Sequence, residues 1–149
     1  MPQYLVKPAN SVLVVAEPLG IIEMKVGANA TAAKMLPKRV VIYDAADGDV
    51  KESGDASAAA LGVLLEAPDQ TITTAYALAD PCRVARVGGG CIVLCTFASA
   101  AAGCTPGQKI VPAADGKVKA SAAAADVTLG IAMSTVAAGG PDADVMVAL

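Results

Sequence analysis

A chain of 149 residues fits one domain, and at that size folding hides roughly 70% of the surface the unfolded form exposes, so a core needs no disulfide or metal staple. Apolar residues make up 55% and aromatic ones only 3%, which leaves small aliphatic side chains to build that core. The net charge of −3 carries no basic stripe with stacking aromatics, so nucleic acid is not an expected partner; the absence of His excludes Ser-His-Asp and Cys-His catalysis and removes the commonest neutral metal ligand.

The opening Met1-Pro2-Gln3-Tyr4-Leu5-Val6-Lys7-Pro8 lacks the basic-then-apolar order of a signal peptide, so synthesis in the cytoplasm is expected. No run of about 18 apolar residues free of charge, Pro and Gly occurs, so no membrane span is expected. Residues 1–36, broken by Pro2, Pro8 and Pro18, read as an extended N-terminal arm ahead of a β domain over 37–149. Pro2, Gln3, Tyr4, Leu5 and Val6 are the partner-binding candidates, able to add a strand to a neighbour's sheet edge. A terminal strand pair within the chain's own domain is the alternative.

Strands are expected over 11–15, 20–26, 40–43, 60–65, 71–75, 82–87, 91–96, 109–111, 129–133 and 145–149. Asp47-Gly48, Gly54-Asp55, Gly88-Gly89-Gly90, Asp115-Gly116 and Gly139-Gly140-Pro141 supply the turns between them, because Gly accepts positive φ. Helix is scarce: 29–36 has the best propensity and ends at Pro37, and the Ala-rich 56–60 and 122–125 could each form a turn.

The most informative pattern is a repeat. Ala45-Ala46-Asp47-Gly48-Asp49-Val50-Lys51-Glu52-Ser53 returns as Ala113-Ala114-Asp115-Gly116-Lys117-Val118-Lys119-Ala120-Ser121, and in the same register Leu61-Gly62-Val63 returns as Leu129-Gly130-Ile131. Each copy, about 39–67 and 107–135, reads as strand, Asp-Gly turn, short strand, small-residue loop and Leu-Gly-aliphatic strand. The expected fold is therefore mostly β: a small barrel or sandwich built from two pseudo-repeats.

Thr105-Pro106-Gly107-Gln108-Lys109-Ile110-Val111-Pro112-Ala113-Ala114-Asp115-Gly116-Lys117-Val118-Lys119 resembles a segment of phage capsid cement proteins, and Leu129-Gly130-Ile131-Ala132 and Asp144-Val145-Met146-Val147-Ala148-Leu149 fit it too. Val40-Val41-Ile42-Tyr43 through Leu61-Gly62-Val63-Leu64 is similar to lambda-type head decoration proteins, and the similarity spans about residues 30–149. The resemblance implies a structural virion protein of a tailed bacteriophage, without enzymatic activity or cofactor. It would form a homo-oligomer, typically a trimer, on the outer capsid surface, bind the major capsid protein at threefold sites after the shell expands, and stabilise the mature shell. A small carbohydrate- or ligand-binding β module of a tail or fibre is the alternative; it requires an aromatic-lined groove, for which the chain offers Phe97, three Tyr and no Trp.

The remaining chemistry lies in Cys82, Cys91, Cys95 and Cys104. Only Cys91 and Cys95 have zinc-knuckle spacing, and in a strand they would stand about 13 Å apart, too far to share a metal. Disulfides are open to a virion protein that leaves the reducing cytoplasm, and buried free thiols acting as small hydrophobes are the leading reading. Gly88-Gly89-Gly90 lacks the following Lys-Ser or Lys-Thr of a phosphate loop and reads as a turn. Asp126, Asp142 and Asp144 could hold a cation, but solvated loop charges explain them as well.

Overall fold

In the computed structural model, which describes residues 12–14, 20–44, 49–57, 59–67, 71–99 and 101–149, the short apolar runs become strands. In chain order these are β1 (Val12–Val14), β2 (Ile21–Lys25), β3 (Val40–Asp44), β4 (Asp49–Glu52), β5 (Gly62–Leu65), β6 (Pro81–Arg86), β7 (Ile92–Phe97), β8 (Lys109–Pro112), β9 (Val118–Ala120), β10 (Gly130–Ala132) and β11 (Ala143–Ala148). The protein is mostly β with little helix, as its sequence predicts. The helical propensity around 29–36 yields a single 3-10 turn, Ala32–Lys34, and in the Ala-rich stretches Ala56, Ser57, Ala124 and Ala125 lie in turns. The strand expected at 71–75 is absent: the Thr71 hydroxyl hydrogen-bonds those of Thr73 and Thr74, and Thr74 N–H donates to Thr71 O (3.1 Å). Local hydroxyl bonding there outcompetes β propensity.

The strands form two rings of one design. In the second, β7, β11, β10, β8 and β9 pair in that order, and the parallel pair Phe97↔Val118 closes the circuit into a five-stranded barrel. In the first, β2, β6, β5, β3 and β4 follow the same order, and the parallel bridge Val26↔Val50 brings the end strands together. The correspondence extends to single bonds. Gly27 N–H donates to Val50 O as Ala98 N–H does to Val118 O, both at 2.8 Å. Leu61 N–H donates to Val41 O (2.9 Å) as Leu129 N–H does to Ile110 O (2.8 Å), and Tyr76 N–H to Met35 O (2.9 Å) as Val136 N–H to Cys104 O (3.0 Å). The duplication therefore takes in β2 and β6, matched by β7 and β11, and exceeds the two copies read from sequence.

The repeated residues have local reasons. A Cβ on Gly62 would overlap Ala85 O, and one on Gly130 would overlap Ala148 O, so the Leu-Gly-aliphatic strand needs its glycine where the neighbouring backbone comes close. The repeated serines bond the carbonyl two residues on, Ser53 Oγ to Asp55 O (3.3 Å) and Ser121 Oγ to Ala123 O (3.2 Å), which turns the chain after β4 and β9. The Asp47-Gly48 turn lies outside the described residues; at its counterpart, Asp115 and Gly116 adopt φ of 60° and 69°.

Two cores result. One lies within the first ring and contains Val26, Met35, Val41, Val50, Leu61, Leu64, Tyr76, Cys82 and Val84. The other fills the second ring and extends to Val40, Val63, Leu65 and Ala85 on the outside of the first. All four residues of β5 are buried, because Leu64 faces one core while Val63 and Leu65 face the other. Such two-sided burial is why this strand is a continuous apolar run, whereas β7 alternates half-buried and buried positions. The arm boundary expected at residue 36 needs correction: β2 pairs with β6 at five positions, and Val26 and Met35 are core residues, so residues 20–36 belong to the first ring. β1 pairs with β7 of the same chain.

Candidate interaction surface

The alternation of β7 and β11 sends Val93, Cys95, Phe97, Val145 and Val147 inward and leaves Ile92, Leu94, Met146 and Ala148 on the outside. Register aligns the outer residues: Leu94 is opposite Met146, Ile92 opposite Ala148, and Ala148 opposite Ile131 of β10. Ile131 and Met133 are 37% and 46% exposed, and the other four are half-buried. Six apolar side chains thus line one sheet face, where a half-solvated sheet ordinarily carries polar residues. Lys109 stands beside Ile131 at one margin. At another, Asp144 holds Lys38 of the first ring at 2.9 Å, and Lys38 O accepts the N–H of Thr96 (2.9 Å). The face was missed in the sequence because its members come from three strands, with paired residues such as Leu94 and Met146 more than fifty positions apart, and meet only through register.

The thiols do not form one cluster. Cys82 lies in the first core, and Cys91, Cys95 and Cys104 lie in the second; all four are buried and free. Burial pushes the Cys82 thiol up to about 12, aided by the carboxylates of Asp49 and Asp80, and burial likewise raises Cys91, Cys95 and Cys104. A thiol held protonated is a weak nucleophile and a poor metal ligand. No group of three or more His, Cys, Asp or Glu able to hold a metal occurs among the described residues.

The three candidate cation-binding aspartates each have their own partners. Asp126 accepts the N–H groups of Ala122 and Ala123, which hold its carboxyl below the usual range. Asp142 pairs with Lys117 at 2.9 Å, which lowers it likewise, and Asp144 takes Lys38. The triple glycine links β6 to β7 as a turn, with Gly88 and Gly90 at φ of 76° and 73°. A Cβ on Gly89 would come within 2.6 Å of Gly20 Cα, so the linker is glycine because the backbone entering the first ring crosses it. Among the aromatics, Phe97 and Tyr76 are core residues, with Tyr76 Oη donating to Leu65 O (2.6 Å), and Tyr43 is exposed by itself. Tyr4, with Pro2, Gln3, Leu5 and Val6, lies outside the described residues.

No family model matches the chain, and no curated protein matches it. The fold and surface define a class: a duplicated small-barrel protein with protonated, enclosed thiols and an apolar outer sheet face.

Proposed function

We propose that this chain is a structural virion protein that binds the outer surface of a phage capsid as a homotrimer and stabilises the mature shell. The observation that carries this reading is the apolar face of Leu94, Met146, Ile131 and Met133, a surface suited to being covered when copies of the chain assemble. The likeness of residues 105–119 to capsid cement proteins supports it and supplies the partner class, the major capsid protein. The work done is thermodynamic. A protein that binds the expanded lattice and not its precursor stabilises that lattice by mass action, and several subunits gripping neighbouring capsomers add avidity. Residues Pro2 to Val6 supply a segment for pairing with the edge of a capsid strand.

The test is co-sedimentation of the protein with expanded, undecorated capsids, followed by thermal melting of the decorated shells. Saturable binding and a higher shell melting temperature are expected, and deletion of residues 2–6 should weaken binding without altering the fold. Absence of binding across matched shells, or consumption of a substrate, would sink the proposal.

A further inference from the structure

The two rings meet in a directional way, and both halves of that contact recur at opposite ends of the chain. Within the chain, the outside of the first ring presents Val40, Val63, Leu65 and Ala85, all at 0% exposure, to the core of the second. By register the second ring's counterparts are Lys109 for Val40, Ile131 for Val63, Met133 for Leu65 and Ala148 for Ala85. None of these four is fully buried. The receiving side behaves alike. In the second ring the β7 residues Val93 and Cys95 are 0% exposed and share a core with Leu65. Their counterparts on β2, Ile22 and Met24, point into the first ring and remain half-buried.

We infer that a second copy of this chain docks here, the face around Ile131 and Met133 of one copy covering the β2 side of the next copy's first ring at Ile22 and Met24. The contact repeats between copies what joins the two rings within one. A contact between two different patches is heterologous, so it propagates until it closes. This deepens the oligomeric part of the proposed function: the trimer becomes a circuit of six small barrels. Charge agrees with the pairing. Lys109 replaces Val40 on the docking face, and at the start of β4 Asp49, which Lys25 approaches at 3.4 Å, stands where the second ring has Lys117. The Lys109 stem can lie along apolar surface while its ammonium reaches that carboxylate.

The experiment uses the full chain, with mass measured by light scattering after size exclusion and by native mass spectrometry. Wild type is expected as a trimer. The face variant Ile131→Glu/Met133→Glu and the receiving variant Ile22→Gln/Met24→Gln should each weaken self-association by about tenfold or more, while circular dichroism stays unchanged. Mixed, the two variants should recover one heterodimer and no larger species, because each keeps one intact half. Tyr43→Asp, elsewhere on the surface, should leave the trimer intact. Should the receiving variant fail to fold, Met24→Cys and Met133→Cys in one chain, treated with a bis-maleimide, should give a cross-linked ladder ending at three copies, absent from wild type. A monomeric wild type, a receiving variant that assembles like wild type, or cross-links confined within a monomer would overturn the inference. Capsid binding is scored separately: a monomer that binds shells sinks this contact alone, and a trimer that ignores every shell sinks the capsid reading alone.

Discussion

Asp44 braces the place where the first ring closes. Its carboxylate accepts the backbone N–H of Asn29 (3.0 Å) and the Asn29 side-chain amide (2.9 Å), with Lys51 at 3.9 Å, and it is 1% exposed. These bonds tie the turn after β2 to the end of β3, beside the single bridge Val26↔Val50. Gly27 is part of the same device, since a Cβ there would overlap the carboxylate. Hydrogen bonds to a charged acceptor are stronger than neutral ones, and losing the acceptor removes both bonds that hold the Asn29 turn against β3. Asp44→Ala is therefore expected to cost about 2–3 kcal/mol in urea unfolding. The second ring has Ala113 after β8 and closes by strand pairing, so Ala113→Ser should be far milder in the same assay.

Among the elements, β5 and β10 carry the clearest expectations. Gly62→Ala and Gly130→Ala should each destabilise by about 1–3 kcal/mol, because the added methyl meets a neighbouring strand's carbonyl oxygen and forces backbone movement. Leu64→Ala and Leu65→Ala should each cost about 2–5 kcal/mol by denaturant titration, although the two side chains point to opposite faces. In a strand with one wet face, one of the pair would be nearly silent. Much of this was legible in the sequence. The Asp-Gly and Leu-Gly motifs located β3 to β5 and β8 to β10, since turn residues and close-approach glycines are specified locally. The pairing of β2 with β7 as copies was not legible: Ile21-Ile22-Glu23-Met24-Lys25-Val26 and Ile92-Val93-Leu94-Cys95-Thr96-Phe97 share one identity in register. Those strands need only inward apolar residues, and many sequences meet that need. The candidate surface was illegible for a related reason, because a cross-strand neighbourhood exists only after register is set. The separation of Cys82 from the other thiols likewise depends on which ring each strand joins.

For the molecule as a whole, the enclosed thiols set an alkaline limit. Cys82 has an ordinary value of 9.0 and a folded value of about 12, and Tyr76 is also raised to about 12, chiefly by burial. Between those limits the folded chain keeps protons that the unfolded chain has released, so stability falls as pH rises. The contribution is complete below pH 9 and is lost progressively toward pH 12, at up to about 1.4 kcal/mol per pH unit for each retained proton. Urea midpoints should drop steeply above pH 9, with thiolate absorbance appearing only as the chain opens; a flat profile to pH 11 would contradict it. At the acid end Asp126 and Asp142 are held low, so their support is present at neutral pH and lost as pH falls through their folded values.

The wall formed by Val40, Val63, Leu65 and Ala85 has a further consequence. Duplicated modules often melt one after the other, yet here the second half's core takes part of its lining from the outside of the first. A fragment ending at Val87 would display an oily flank and should clump when expressed by itself. Heating the intact protein should give one calorimetric peak whose van't Hoff and measured enthalpies agree, marking two copies of a fold that have surrendered their autonomy.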